Sequence, residues 1–480
     1  MHLNSRYPQL NSKLYHHQMP SPLKGAKAGH FNETLADELQ WSNEEKQNWV
    51  ALCSGQQTFS SFQPLAMAYA GHQFGHWAGA LGDGRGLLIA QVFNTKKQTI
   101  DLHLKGAGET PYSRMGDGRA VLRSVIREYL AGHALNALGV PSSNAVGFTS
   151  SLQGVQREKL EPGAMLLRSA DSHIRLGHFE WINQYAPDLL SDFTQHCISW
   201  HYPECLEEST PILAFAKAVI QKTATLVAHW QLVGFAHGVM NTDNLNITGS
   251  TLDFGPYGFL ERFRPNWINN HSDHQGRYTY EKQPSIAHWN LWVWLNQLIP
   301  LAPEGNKEKF KAELAECLKI FEPTFLEAYK KGLAHKMGLP TFHKDSFECS
   351  LDFLRILQQA QLDYTQSFIA LQEHRYRDIR DECIDITSFD LFLNKYHQIR
   401  EHQDTELLDQ TMQQHNPHYI LRNHMAQDAI EAAERDDFSE VDRLFKLLAK
   451  PFTKQPHLEK TSDLTPPASD APEISISCSS

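Results

Sequence analysis

Apolar and polar positions alternate with period two along Thr99-Ile100-Asp101-Leu102-His103-Leu104-Lys105. This pattern predicts a strand with Ile100, Leu102 and Leu104 turned to a core, so that Asp101, His103 and Lys105 share the other face. Leu87–Phe93 is a second β-type run, and Asn94–Gln98 between them reads as a polar turn. Downstream the period becomes helical. Arg119–Leu138 reads as a helix closed by Gly139 and Pro141, Phe215–Val233 as a long helix, and Asn32–Leu39 as a short one. Glu128 falls on the apolar stripe of Val121, Val125 and Gly132. A carboxylate on a buried stripe requires a cation, and Lys105 is the candidate.

The wider pattern divides the chain. Residues 1–75 read as an irregular extension packing on the core. Residues 76–170 are glycine-rich with short strands, and residues 171–330 are helical and rich in Trp and His. Residues 331–452 read as helical. From 453 to 480, Pro456, Pro466, Pro467 and Pro472 sit among small polar residues, which predicts a disordered tail.

Composition narrows the function classes. The 480 residues are 41% hydrophobic and 21% charged, an ordinary globular balance. No apolar run reaches the roughly 18 residues of a spanning helix, so no membrane role is expected. Lys plus Arg is 44 against 55 for Asp plus Glu, a net charge of −11, which disfavours general nucleic-acid binding. Seven scattered cysteines without a Cys-x-x-Cys pair disfavour a disulfide framework or a structural zinc site. The N-terminus lacks the apolar core of a signal peptide, so a cytoplasmic setting is expected, or a mitochondrial one if the source is eukaryotic.

Gly79-Ala80-Leu81-Gly82-Asp83-Gly84-Arg85-Gly86 lets backbone N–H groups approach an anion, although tight turns share the pattern. Glycine loop, strand, turn, strand with Lys105, and helix with Glu128 is the order of a protein-kinase N-lobe. Further on come His237-Gly238-Val239-Met240-Asn241-Thr242-Asp243-Asn244 and Asp253-Phe254-Gly255. His237, Asn244 and the Asp-Phe-Gly triplet keep kinase spacing, but Val239 stands where a kinase has its catalytic Asp. Asp243 offers a carboxylate beside Asn244, and Asn244 with Asp253 supplies the oxygen ligands Mg²⁺ requires. Arg168 and Arg175 present guanidinium forks suited to phosphate. His72 and His76 have zinc-helix spacing, but Gln73 replaces the required Glu and nearby glycines disfavour a helix. His271-Ser272-Asp273-His274 reads as a hydrogen-bonded loop.

These stretches, together with Leu104-Lys105-Gly106-Ala107-Gly108-Glu109-Thr110-Pro111-Tyr112-Ser113-Arg114 and Asp117-Gly118-Arg119-Ala120, resemble the selenoprotein O (SelO) family of protein adenylyltransferases. The resemblance runs from about 30 to 452 and extends to Tyr419-Ile420-Leu421-Arg422-Asn423. It implies an α+β, bilobal, protein-kinase-like fold with an added helical C-terminal segment. It implies ATP held in a flipped orientation and AMP transferred to Ser, Thr or Tyr hydroxyls of proteins, with release of pyrophosphate. Nucleotide contacts would come from Gly82, Gly84, Arg85, Lys105, Asp117, Gly118, Arg168, Arg175 and Asp253. Glu128 would pair with Lys105, Asp243 would be the base, and Asn244 and Asp253 would hold Mg²⁺ or Mn²⁺. Cys478 occupies the position of a selenocysteine or cysteine in relatives and is a candidate redox residue, but Trp267–Asn270 offers no cysteine to pair with it. A monomer is expected. The competing readings are a γ-phosphoryl-transferring kinase and a non-catalytic ATP-binding scaffold.

Overall fold

A computed structural model describes residues 2–467, 474 and 476. The chain is mixed α/β, with a sheet-containing N-terminal lobe followed by a helical C-terminal part. The strands of the first lobe are β1 (Tyr15–His17), β2 (Lys27–Phe31), β3 (Leu65–Met67), β4 (Ala70–Gln73), β5 (His76–Ala80), β6 (Gly86–Phe93), β7 (Thr99–Lys105), β8 (Ala120–Val121), β9 (Asn144–Gln156) and β10 (Leu160–Ala170). One antiparallel sheet runs β1-β3-β6-β7-β10-β9-β2, with β8 paired to β10, while β4 and β5 form a separate hairpin.

Register decides which side chains meet. Gly86 and Leu166 flank Lys105 on neighbouring strands, and Leu88 and Arg168 flank His103. The period-two reading of β7 gives the correct faces: Leu102 and Leu104 join a core with Leu23, Trp41 and Phe59. Asp101, His103 and Lys105 share the opposite face, and all three are buried. Their partners are Arg168 of β10, His173 just beyond it, Gln91 and Glu128, and ion pairs offset the burial.

The extension 1–75 is more ordered than expected. It supplies β1, β2 and β3 to the main sheet and covers one of its faces. Lys27-Ala28-Gly29-His30-Phe31 has no β-branched residue, so its strand character comes from pairing with β9 and not from propensity. The predicted helix begins at Leu122, because Ala120–Val121 is drawn into the sheet beside β10.

Helix Pro211–Val233 runs through the second lobe and is, among the described residues, the one helix long and apolar enough by length and composition to cross a membrane. That corrects the reading that no such run exists. Leu213, Phe215, Val219, Ile220, Val227 and Trp230 on it are buried in the protein core, as expected of a helix apolar on most sides. Helices Asn423–Ala433 and Ser439–Leu448 return to pack on helix Leu122–Ala137, where the His133 ring stacks on Phe445 at 3.7 Å. The expectation of disorder from 453 also fails in part. Asp463 is buried against Arg443 (2.7 Å), and Gln455 Nε2 donates to the Leu447 carbonyl (2.8 Å). Leu458 and Leu464 also pack against the main core, so polar and apolar contacts together order the segment. Cys478 lies outside the described residues; the six described cysteines are free.

Candidate active site

A cavity of about 700 Å³ opens where the sheet faces the second lobe. Gly82, Gly84, Arg85, Lys105, Asp117, Gly118, Arg168, Arg175, Asp243, Asn244 and Asp253 all line it, although they span 172 positions from first to last. The glycine loop lies under the turn that follows β7. Gly82 adopts φ +93°, and a Cβ there would meet the Tyr112 ring at 2.4 Å, so only glycine permits this approach.

Behind the cavity the charged side chains form one connected array. Lys105 Nζ bonds Glu128 Oε2. Arg168 reaches Glu128 Oε1 at 3.3 Å and also Asp253 Oδ1. Arg175 bonds the other Asp253 oxygen and the Asp243 carbonyl (2.7 Å). Burial alone pushes Asp253 upward, but Arg175, Arg168 and Lys105 outweigh it and hold the carboxyl well below its usual range. Burial acts on Glu128 in the same sense, and Lys105 with Arg168 again prevails, so Glu128 is ionised. Asp253 sits at φ +54°, a costly conformation for a residue with a side chain. Among the described residues no carboxylate lies within ion-pair distance of Arg85, which leaves its guanidinium uncommitted at the cavity edge. Asp117 is exposed and forked onto Arg157 at 2.9 and 3.0 Å.

His103 joins the glycine loop to this array. Burial pushes its imidazole down to about 4, so the ring is neutral at pH 7. Arg168 NH2 can only donate, so His103 Nδ1, 2.9 Å away, accepts. The ring proton is therefore on Nε2, which faces Asp83 Oδ2 at 3.2 Å.

Asp243 and Asn244 lie on a single 3₁₀ turn, Thr242–Asn244. Asn244 Nδ2 donates to the Val239 carbonyl (2.9 Å), which fixes its amide and leaves Oδ1 available. Val239 thus contributes a backbone anchor and an apolar side chain to the cavity wall. Asp243 Oδ2 accepts from Gln73 Nε2 (3.1 Å), while Oδ1 is buried and, among the described residues, has no partner. Burial raises the Asp243 carboxyl to about 6, opposed by the Gln73 hydrogen bond and by Arg175. A carboxylate with one free oxygen and a value near neutrality can accept a proton.

Several participants escaped the sequence reading. Gln73 breaks the zinc spacing in the sequence, yet in the fold it touches Asp243. His72 bonds Glu180 (2.6 Å), and among the described residues no group of three His, Cys, Asp or Glu side chains converges as a metal site. Arg127, next to Glu128, donates to the Tyr257 carbonyl (2.7 Å), and the Tyr257 hydroxyl donates back to the Arg127 carbonyl (3.0 Å). This ties the Glu128 helix to the segment after Asp-Phe-Gly. The only sequence signal for it was Arg127 on a mainly buried helix.

Comparison with known proteins gives a consistent result. The family model described as Protein adenylyltransferase SelO matches residues 1–449. A protein of Pectobacterium carotovorum subsp. carotovorum named Protein nucleotidyltransferase YdiU is 41% identical over 485 residues, covering 97% of this chain and 98% of its own. Proteins of the same name from Vibrio parahaemolyticus and Erwinia tasmaniensis are 42% and 43% identical, with 98% and 96% of both chains covered.

Proposed function

The chain belongs to the protein adenylyltransferase SelO family, and from that premise we propose how its cavity performs the transfer and which residues carry it. The protein is a nucleotidyltransferase that takes ATP as substrate and modifies proteins. In our reading, the acceptor is a Ser, Thr or Tyr hydroxyl, and the fold is a bilobal kinase-like one. Residues 76–170 form its first lobe, 171–330 its second, with 1–75 packed on the core and 331–452 as a helical addition.

The observation that carries this reading is the buried, unpartnered Oδ1 of Asp243 in the same cavity as Lys105, Arg168, Arg175 and Arg85. The hydroxyl oxygen forms a bond to the α-phosphorus as the bond to pyrophosphate breaks. Asp243 takes the hydroxyl proton. The four cations offset charge on the triphosphate and the leaving pyrophosphate, which is stabilisation by positioned charge and not covalent catalysis. Lys105 is held in place by Glu128. Gly82, Gly84 and Gly118 bring backbone close to the nucleotide, and Asp117 contacts it from the rim.

Asn244 and Asp253 fit a divalent cation of the Mg²⁺ or Mn²⁺ type. Both present oxygen, and a fixed Asn amide leaves its carbonyl oxygen free. Mg²⁺ needs only one or two protein ligands when phosphates and water complete its shell. When bound, it would supply charge neutralisation at the phosphates. Arg168 and Arg175 hold the Asp253 carboxylate in place, where it would serve as a ligand to the cation.

Transfer of the γ-phosphoryl group is disfavoured by the apolar Val239 on the cavity wall. We propose a monomer working in the cytoplasm. Incubation with ATP labelled in turn at the α- and γ-phosphate tests the reading. Label from the α position on protein supports it, label from γ identifies a kinase, and label from neither identifies a scaffold.

A further inference from the structure

The β4–β5 hairpin is fitted to the loop that carries Asp243. Three consecutive hairpin residues each bond a residue of that loop. The His72 N–H donates to Thr242 Oγ1 (2.7 Å), Gln73 Nε2 to Asp243 Oδ2 (3.1 Å), and the Phe74 N–H to Asn241 Oδ1 (3.2 Å). The Phe74 N–H also meets the Tyr278 hydroxyl (2.9 Å), which itself donates to Asn241 Oδ1 (2.6 Å). The hairpin is anchored on its far side by His72 and Glu180. Gly71 lies against the same carboxylate, and a Cβ there would come within 2.6 Å of Asp243 Oδ1.

An Asp side chain with no fixed oxygen turns freely about its terminal torsion, which is broad and roughly two-fold. One with both oxygens bonded has fewer open lone pairs and is a poorer acceptor for a substrate hydroxyl. Asp243 lies between these cases, with Oδ2 bonded and Oδ1 open. We propose that the Ala70–Ala80 hairpin aims the base, with Gln73 as the positioning residue whose amide fixes Asp243 Oδ2 and leaves Oδ1 for the acceptor hydroxyl. This rests on the reading of Asp243 as the base. Gln73 itself exchanges no proton, and the bonds made and broken are those already described.

The chemistry of the contact separates positioning from space-filling. Glutamate has nearly the shape of glutamine, but when ionised it offers no donor and repels Asp243. If Gln73 only fills space, Gln73→Glu should be tolerated better than Gln73→Ala. If it donates to Asp243, the order inverts.

The experiment uses the full chain and compares wild type, Gln73→Ala, Gln73→Glu, Asp243→Asn and the Gln73→Ala/Asp243→Asn double variant. Transfer of AMP from α-labelled ATP to protein gives kcat and KM, and a fluorescent ATP analogue reports nucleotide affinity. Thermal unfolding confirms that each variant is folded. A donor to a charged group predicts a fall in kcat of roughly 10- to 100-fold for Gln73→Ala, with nucleotide affinity and KM for ATP within about twofold of wild type. Gln73→Glu should fall lower still, and Gln73→Ala should add nothing once Asp243 is Asn. Gly71→Ala is an independent probe of the hairpin and should also lower kcat without loss of nucleotide binding. The proposal is overturned if Gln73→Glu equals or exceeds Gln73→Ala, if Gln73→Ala acts on ATP binding alone, or if its effect persists in the Asp243→Asn background. Full activity of Asp243→Asn overturns the base assignment instead, so the two failures are distinguishable.

Discussion

Replacing Asp243 with Asn should make the enzyme nearly inactive and its fold more stable. The carboxyl is buried and moves from an ordinary 3.8 up to about 6 in the folded chain. That is a bias of somewhat more than a hundredfold against the ionised form, or about 3 kcal/mol. The sign follows from proton binding: between these values the folded chain holds a proton that the unfolded chain has released. Stability from this group is therefore fully present below 3.8 and is lost as pH rises through about 6. Above pH 7 the wild type carries the whole penalty, and an uncharged Asn carries none. Gln73 can still donate to the Asn carbonyl oxygen, so the exchange need not leave a new orphan. Urea unfolding at pH 7.5 should then show Asp243→Asn more stable by up to about 3 kcal/mol, with the gain vanishing near pH 4. Loss of a general base should lower transfer roughly 10²- to 10⁴-fold. In wild type, kcat/KM should fall about tenfold from its plateau by pH 5, since about one carboxyl in eleven is then ionised. A variant that transfers AMP at the wild-type rate, or gains no stability at pH 7.5, would refute the reasoning.

Other substitutions probe the surrounding structure. A Cβ on Gly86 would meet His103 Cε1 at 2.2 Å, so Gly86→Ala must displace the ring that holds Arg168. Calorimetry should show weaker ATP binding, with roughly 1–3 kcal/mol lost from stability; unaltered binding would dissociate His103 from the nucleotide site. Arg422 is fully buried between Glu261 and Asp363, the latter at 2.8 Å, so Arg422→Ala strands two carboxylates and should cost about 3–5 kcal/mol in denaturant unfolding. A cost under about 1 kcal/mol would show that water solvates them. Lys336 is buried over the Phe368 ring at 4.4 Å, and burial pushes its ammonium down to about 7. The unfolded chain keeps that proton to higher pH, so wild-type stability should rise between about pH 7 and 10.5, and Lys336→Met should flatten this slope while stabilising the fold at pH 7. An unchanged slope in the variant would assign it to another group.

Local spacing made part of this structure legible. The strand holding Lys105, the helix holding Glu128 and the turn holding Asp243 and Asn244 each follow from patterns within about twenty residues. The sequence even paired Lys105 with Glu128, because a charge on an apolar stripe leaves few alternatives. What it could not convey was pairing across distance. The strand Lys27–Phe31 is a strand only because β9 lies beside it. Gln73 is important only because the hairpin is folded onto a loop 170 residues away. The same holds for Arg168 and Arg175, whose grip on Asp253 joins segments 85 and 78 residues apart. Their chemistry singles these residues out in the sequence, but their coupling through one carboxylate is a property of the assembled fold.

The return of helices Asn423–Ala433 and Ser439–Leu448 to the Glu128 helix has a consequence for biosynthesis. A ribosome makes the chain from its N-terminus, and domains generally fold as they emerge. Here the sheet and the Glu128 helix are complete by residue 170, but their apolar cover is not translated until about residue 448. Until then Tyr129 and His133 lack Phe445, their stacking partner. The first lobe must wait, partly uncovered, for almost the entire remaining chain. A prematurely terminated product would expose this surface, whereas the longer chain covers it with helices made about 250 residues later.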